Sequence, residues 1–276
     1  MKTLNLIALF LVLSVTSLAQ TKNFNRTMEF SAGGNLRIRT DIGSVRLTSW
    51  NNNQVEVIAR IEGRDNNNVS ADYMRRVVEA TQIEMLGDAR SLTIQANYDN
   101  IPYENIWGGK NRVLPRIDWE IRAPRQANID LDVDRSEAEI RGFDGRHTLK
   151  SDRTTFRAED LSGEIRLHID RGNQSRLANL RGKLDIESDR TNLTFERLQL
   201  SGDSRVQIGR GELEMQMASS QGFTLMMDKE RRSSFKSDFP ITTSGIFNDR
   251  FEGAINGGGP RLAIQTDRAK VYLKNN

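Results

Sequence analysis

The 276-residue chain contains no cysteine, only two histidines and only five prolines. The first absence excludes disulfides, thiolate metal sites and cysteine nucleophiles together. Two imidazoles are too few for a histidine-rich metal site, and five prolines exclude proline-rich linkers and collagen-like repeats. Long apolar runs are equally scarce. The single one lies near the N-terminus, which rules out a multi-span helical membrane protein. Neither sign of charge dominates: 40 Lys and Arg face 37 Asp and Glu, for a formal net charge of +3. The two signs are interspersed almost residue by residue, as in Arg37-Ile38-Arg39-Thr40-Asp41. Nucleic-acid binders concentrate basic residues on one face, so nucleic acid is not an expected partner. What remains, 37% hydrophobic and 28% charged, suits an ordered chain with a sizeable core.

The N-terminus reads as an address. Met1-Lys2-Thr3 is a short positive segment, Leu6 to Val15 an apolar stretch, and Ser17-Leu18-Ala19 places small residues before Gln20. This is the pattern of a secretory signal peptide, too short for a stable span. Cleavage after Ala19 would lower the net charge to +2, since Lys2 is the only charge removed. The expected location is extracytoplasmic, in the periplasm, on the cell surface or secreted. The mature chain has no further segment that reads as transmembrane.

The body of the chain repeats. Asp-Arg recurs at Asp134-Arg135, Asp152-Arg153, Asp170-Arg171 and Asp189-Arg190, with spacings of 18, 18 and 19, and Gly209-Arg210 follows after 20 more. Before each corner, apolar or small residues stand one, three and five positions back, as in Ile165/Leu167/Ile169 and Leu184/Ile186/Ser188. Glycine stands seven back at Gly145, Gly163, Gly182 and Gly202. A second alternating stretch follows each corner, such as Ala138/Ile140 and Leu193/Phe195. The frame returns at Gly34–Asp41 and at Leu262–Arg268, and more loosely at Leu225-x-Met227-Asp228. Period-two alternation means strands with one buried face. A fixed corner every 18 to 20 residues means a unit that repeats by translation. The expected fold class is all-β: a parallel β-solenoid with two strands per 18–20-residue coil, plus one short helix in the N-terminal third. An antiparallel sandwich is the alternative.

In this frame the outward columns run Asp130, Thr148, Arg166, Asp185, Arg205 and Asp132, Lys150, His168, Glu187, Gln207, with Arg166–Asp185 and Asp185–Arg205 as neighbours of opposite sign. The buried column runs through Leu149, Leu167, Ile186 and Val206. The N-terminal third is less regular. Residues 70–80 read as a short helix behind a Ser70 cap, Gly87-Asp88 as a hairpin turn, residues 99–115 as a loop, and Ile117-x-Trp119-x-Ile121 as a strand ending at Pro124.

These elements in this order resemble the bacterial putative-adhesin family of secreted β-strand-repeat proteins, the DUF4097 type. The resemblance is carried by Gly34-Asn35-Leu36-Arg37-Ile38 through Trp50, by the strand running into Pro124, by the repeated Gly-x-[LIV]-x-[LIV]-x-[ST]-[DN] coils, and by Ile255-Asn256-Gly257-Gly258-Gly259-Pro260 before the last coil. It implies a cell-envelope or surface protein without assigned chemistry. One departure is visible: the family places Asn-Gly or Ser-Gly at the corner, where this chain has Asp-Arg. The expected organisation is a signal peptide at 1–19 and a single adhesin-like domain at 20–276. Within it, 20–125 is irregular, 126–230 holds the regular coils, and 231–276 holds a loop and the closing coil.

Candidate chemistry is sparse. The aspartate column could ligate Ca²⁺, but the arginine after each aspartate neutralises it. Asp134, Arg135, Asp152, Arg153, Asp170, Arg171, Asp189 and Arg190 are therefore expected as a structural corner ladder, with no metal and no cofactor. His147 falls on an inward position and His168 on an outward one, so they should not form a pair. Glu137 and Glu139 lie on one strand face beside Arg141 and Arg157, which keeps both ionised and argues against acid/base work on a polysaccharide. No catalytic residue is expected. The candidate ligand-binding residues are Tyr98, Tyr103, Trp107 and Trp119, clustered within 22 residues. Such rings can stack on a sugar or anchor a protein, or they can cap the end of the core. The functional expectation is a non-enzymatic surface protein binding glycan or protein. A polysaccharide lyase or hydrolase on a β-helix scaffold is the alternative.

Overall fold

The computed structural model describes residues 21–64, 69–106, 108–172, 174–247 and 250–276. The signal-peptide expectation and Trp107 lie outside the described residues. In chain order the elements begin with β1 (Thr21–Glu29), β2 (Asn35–Thr40), β3 (Gly43–Trp50), β4 (Gln54–Glu62) and α1 (Ala71–Ala80). There follow β5 (Gln82–Gly87), β6 (Ser91–Asn97), β7 (Glu104–Ile106), β8 (Gly109–Asn111) and β9 (Arg116–Pro124). The repeat region holds β10 (Asn128–Asp134), β11 (Ser136–Arg141), β12 (Asp144–Asp152), β13 (Thr155–Glu159), β14 (Ser162–Asp170), β15 (Gln174–Ala178), β16 (Arg181–Asp189), β17 (Thr191–Leu200) and β18 (Ser204–Met217). The C-terminal part holds β19 (Phe223–Lys229), β20 (Ser234–Ser237), β21 (Thr242–Phe247), β22 (Arg250–Ile255) and β23 (Arg261–Asn275). The protein is all-β with one helix, and most strands join one nearly closed, barrel-like sheet of mixed, mostly parallel pairing.

Two parallel ladders run through the repeat region. In the first, β10, β12, β14, β16 and the start of β18 pair in succession. In the second, β11, β13, β15, β17 and the end of β18 do the same. Alternation decides what faces inward. Leu131, Leu149, Leu167, Ile186 and Val206 are register partners in turn and all are buried, continuing the same column to Ile264 and Met227. The outward neighbours expected from the frame are register partners too: Arg166 with Asp185, and Asp185 with Arg205. His147 is buried and His168 exposed, on neighbouring strands and opposite faces.

At two of the corners the glycine seven residues back has a steric reason. Gly163 has φ +108°, and a Cβ there would stand 2.1 Å from the Gly145 carbonyl oxygen on the strand beside it. One repeat on, a Cβ at Gly182 would stand 1.9 Å from the Gly163 oxygen. The backbones pass too closely for any side chain.

Outside the regular region the stacking departs from chain order. The β2–β3 pair lies between β6 and β9 on one side and β10 and β11 on the other, although β6 and β9 come between them in sequence. Likewise β23 lies between β18 and the pair β19 and β20. The first and last repeats are thus interior to the stack. Antiparallel strands flank it: β5 on β6, β4 and then β1 on β9, and β22 and then β21 on β19.

The helix forms as its cap dictates. Ser70 accepts from the Tyr73 N–H, and Tyr73, Met74, Val77 and Val78 are buried. Tyr73, Met74 and Val77 join Ile101 and Val113 in a second small apolar cluster, so α1 is clamped against the segment that follows β6. The buried Tyr73 hydroxyl donates to the Pro102 carbonyl (3.0 Å) and accepts from the Val113 N–H (3.2 Å). The expected loop at 99–115 contains the small β7–β8 hairpin.

Candidate functional site: corner ladder, aromatic end and outer groove

The corners resolve the departure at Asp-Arg. The arginine, not the aspartate, takes the left-handed conformation, with φ of 46°, 50°, 52° and 55° at Arg135, Arg153, Arg171 and Arg190. Each N–H of the first three bonds the carbonyl of the aspartate one repeat on, at 3.0–3.1 Å. Each arginine after the first also reaches back one repeat. Arg153 lies 3.3 Å from Asp134, Arg171 3.1 Å from Asp152, Arg190 3.4 Å from Asp170, and Arg210 2.8 Å from Asp189. The arginines also pair with the aspartate beside them, at 2.8–3.1 Å for the four Asp-Arg corners. Hydrogen bonding from Arg210 holds the Asp189 carboxyl below the usual carboxylate range. A column so paired has arginine where a cation would sit, and no group of three or more His, Asp or Glu fit to hold a metal occurs among the described residues.

The aromatic candidates separate. Trp119 is 2% exposed and its Nε1–H donates to Thr40 Oγ1 at 3.0 Å. Tyr98 is half-buried and packs against both apolar clusters. Burial, with the Asp41 carboxylate beside it, pushes its phenol pKa well above the ordinary value. Tyr103 is 60% exposed, with the Arg112 guanidinium 4.2 Å from its ring centre. Of the three described rings, Tyr103 alone lies open to a ligand, while Trp119 serves the core.

Glu137 and Glu139 line a recess of about 320 Å³ on the outer face of the second ladder. Glu139 pairs in register with Arg157 and Arg46, and its carboxylate lies 3.5 Å from Arg46. The two carboxylates stand among arginines on a strand face, as their sequence setting implies.

A larger recess was not among the sequence candidates. A groove of about 880 Å³ crosses the outer face of β14, β16, β18, β23, β19 and β22. One register row crosses it: Arg166, Asp185, Arg205, Ala263, Met226 and Glu252. Ala263 and Met226 make an apolar floor where other repeats place charge. Its carboxylates are engaged. Glu164 and Asp185 lie 2.9 and 4.0 Å from Arg166, Asp228 lies 2.8 Å from Arg250, and Asp203 accepts from the Arg261 backbone N–H. The signal for the groove was the pair of uncharged residues at outward positions, at Ala263 and Met226. It was unreadable without knowing that β23 and β19 adjoin β18.

No family model matches the chain, and no curated protein matches it. Among solved structures, similarity extends to a "putative cell adhesion protein" from Clostridium sporogenes, at 11% identity and TM-score 0.37 over 93% of this chain and 100% of that one. A "putative adhesin" from Bacteroides fragilis matches at 10% identity and TM-score 0.35, over 92% and 97%. A "putative lipid binding protein" from Parabacteroides distasonis matches at 7% and 0.30, over 92% and 95%. The first two names fall in the adhesin class that the repeat frame resembles. At these identities and scores the likeness carries no argument about what this chain does.

Proposed function

We propose that this is a non-enzymatic binding protein of the cell envelope, built as a β-solenoid with two strands per coil. The paired parallel ladders, offset by one 18–20-residue repeat at each step, support the solenoid reading. The signal-peptide pattern at 1–19 supports an extracytoplasmic location, and mass spectrometry of exported material should then find Gln20 at the N-terminus. The observation that carries the binding role is the groove, a shaped recess with an apolar floor on a surface otherwise laced with paired charges. Tyr103, stacked with Arg112, is a second contact point for a glycan or protein partner. The test is to apply the mature protein to envelope and plant polysaccharides and to envelope fractions, measuring retention and chain length together. Saturable retention with unchanged chain length is expected. Depolymerisation would overturn the proposal in favour of a carbohydrate-active enzyme.

A further inference from the structure

His147 stands in an otherwise apolar column. Its register partners are Ile129 on β10 and Ile165 on β14, and Leu184 follows on β16. All four are buried, His147 completely. Its Nε2 lies 3.2 Å from the Ser162 carbonyl oxygen, while Nδ1 is buried with no hydrogen-bond partner. The ring stands edge-on to Phe143, with centres 6.5 Å apart. Such a setting suits the neutral imidazole, because a proton on Nδ1 would put a charge into the column.

The charged groups nearby are already engaged. Arg146 and Glu164, on the two flanking strands, pair with each other at 3.5 Å. Asp144 favours the charged ring, as do the Phe143 and Ser162 carbonyls, and burial outweighs them. Asp144 is itself held by Arg125 at 2.5 Å and by the Ser162 hydroxyl. Ser162 is therefore the joint: its carbonyl accepts from His147, its hydroxyl donates to Asp144, and its N–H donates to the Phe143 carbonyl at 2.9 Å. Arg125, Asp144 and Ser162 also line an outer recess of about 560 Å³.

We propose that His147 is an acid-operated latch between two repeats: on taking up a proton it leaves the apolar column, breaks from Ser162 and frees the start of β12 from the start of β14, while the rest of the stack stays closed. Histidine is the side chain whose charge changes in this pH range, and local opening lets the charged ring reach water without unfolding the chain. The recess that Asp144 and Ser162 line changes shape with it.

The test is amide hydrogen exchange of the mature protein at pH 7.5 and 5.5, corrected for intrinsic rates. An open form whose histidine titrates near 6.5, against a closed form that stays neutral, gains roughly tenfold in population between these two values. Exchange in Asp144–Leu149 and Ser162–Leu167 should rise by that factor and exceed exchange in Arg181–Ile186 of β16. His147→Gln should abolish the rise, and His147→Leu, which matches the column, should do the same if the glutamine variant folds poorly. His168→Gln, at the exposed histidine, should keep it. Imidazole nitrogen shifts of the native chain should show His147 neutral at both values. One common opening free energy in all three segments would mean that only global unfolding senses the proton, and would overturn the latch. So would a His147 that charges near its ordinary pKa with no change in exchange.

Discussion

Arg171 reaches back across one repeat to Asp152, at 3.1 Å, while its own backbone holds a φ of 52°. One residue thus carries a contact that favours the stack and a conformation that does not suit it. The left-handed region crowds the Cβ of any L-residue, and only glycine enters it freely. The ion pairs are half-exposed, so each is worth under about 1 kcal/mol. The two effects are of similar size and opposite sign.

Replacing Arg171 separates them. Arg171→Gly should be between neutral and about 1 kcal/mol stabilising in urea denaturation, because relief of the left-handed strain offsets the lost pairs. Arg171→Val, with a β-branched side chain at the same φ, should cost about 1–3 kcal/mol. A glycine variant clearly less stable than the native chain would show that the ladder, not the backbone, governs the corner.

Inside and outside of one strand give a second contrast. Leu167 is buried between Leu149 and Ile186, whereas Arg166 faces solvent beside Asp185. Leu167→Asp buries an unpaired charge and should cost several kcal/mol. Arg166→Ala should cost under about 1 kcal/mol. Comparable losses in thermal melts would invalidate the assignment of faces.

His147 makes stability depend on pH. Burial dominates and lowers its pKa, opposed by hydrogen bonding of Nε2–H to the Ser162 carbonyl at 3.2 Å. The unfolded chain, with histidine near the ordinary value of about 6.5, therefore takes up the proton first as pH falls. Stability present above about pH 6.5 should decline on acidification toward the depressed folded value. The carboxylates with lowered pKa, such as Asp144 and Asp189, act only further down, below their ordinary range near 4. Melting temperatures at pH 7.5 and 5.5 should differ more for the native chain than for His147→Gln. Identical pH slopes would remove His147 from the account.

The aromatic end offers a contrast between packing and contact. Trp119→Ala removes a buried ring and its bond to Thr40, and should destabilise by about 3 kcal/mol or more. Tyr103→Ala should leave the melting temperature nearly unchanged, since its ring is largely exposed. Retention on the ligand that the native chain binds, measured on the same two variants, then reports whether Tyr103 contributes. A large stability loss at Tyr103 would return that ring to the core.

Alternation and corner spacing are local properties, and the sequence by itself determined everything that depends on them. Which residues of 126–210 face inward, which are neighbours across the ladder, where the helix begins at Ser70, and where glycine recurs before the corner all follow from spacing. Neighbouring repeats there are adjacent in the chain, so order in sequence and order in space coincide. The tertiary structure alone decided the rest. It inserted Asn35–Trp50 beside strands 93 residues onward, so that Arg37 meets Asp130 at 2.7 Å, and it seated Arg261–Asn275 between β18 and β19. It left Tyr103 exposed in the 99–115 segment, where no alternation runs to foretell it. It also brought Arg205, Ala263 and Met226 into one row. A degenerate repeat can stack on any copy of itself, so its pattern names the faces of a strand but not the strand beside it; that choice belongs to the packing of the whole chain.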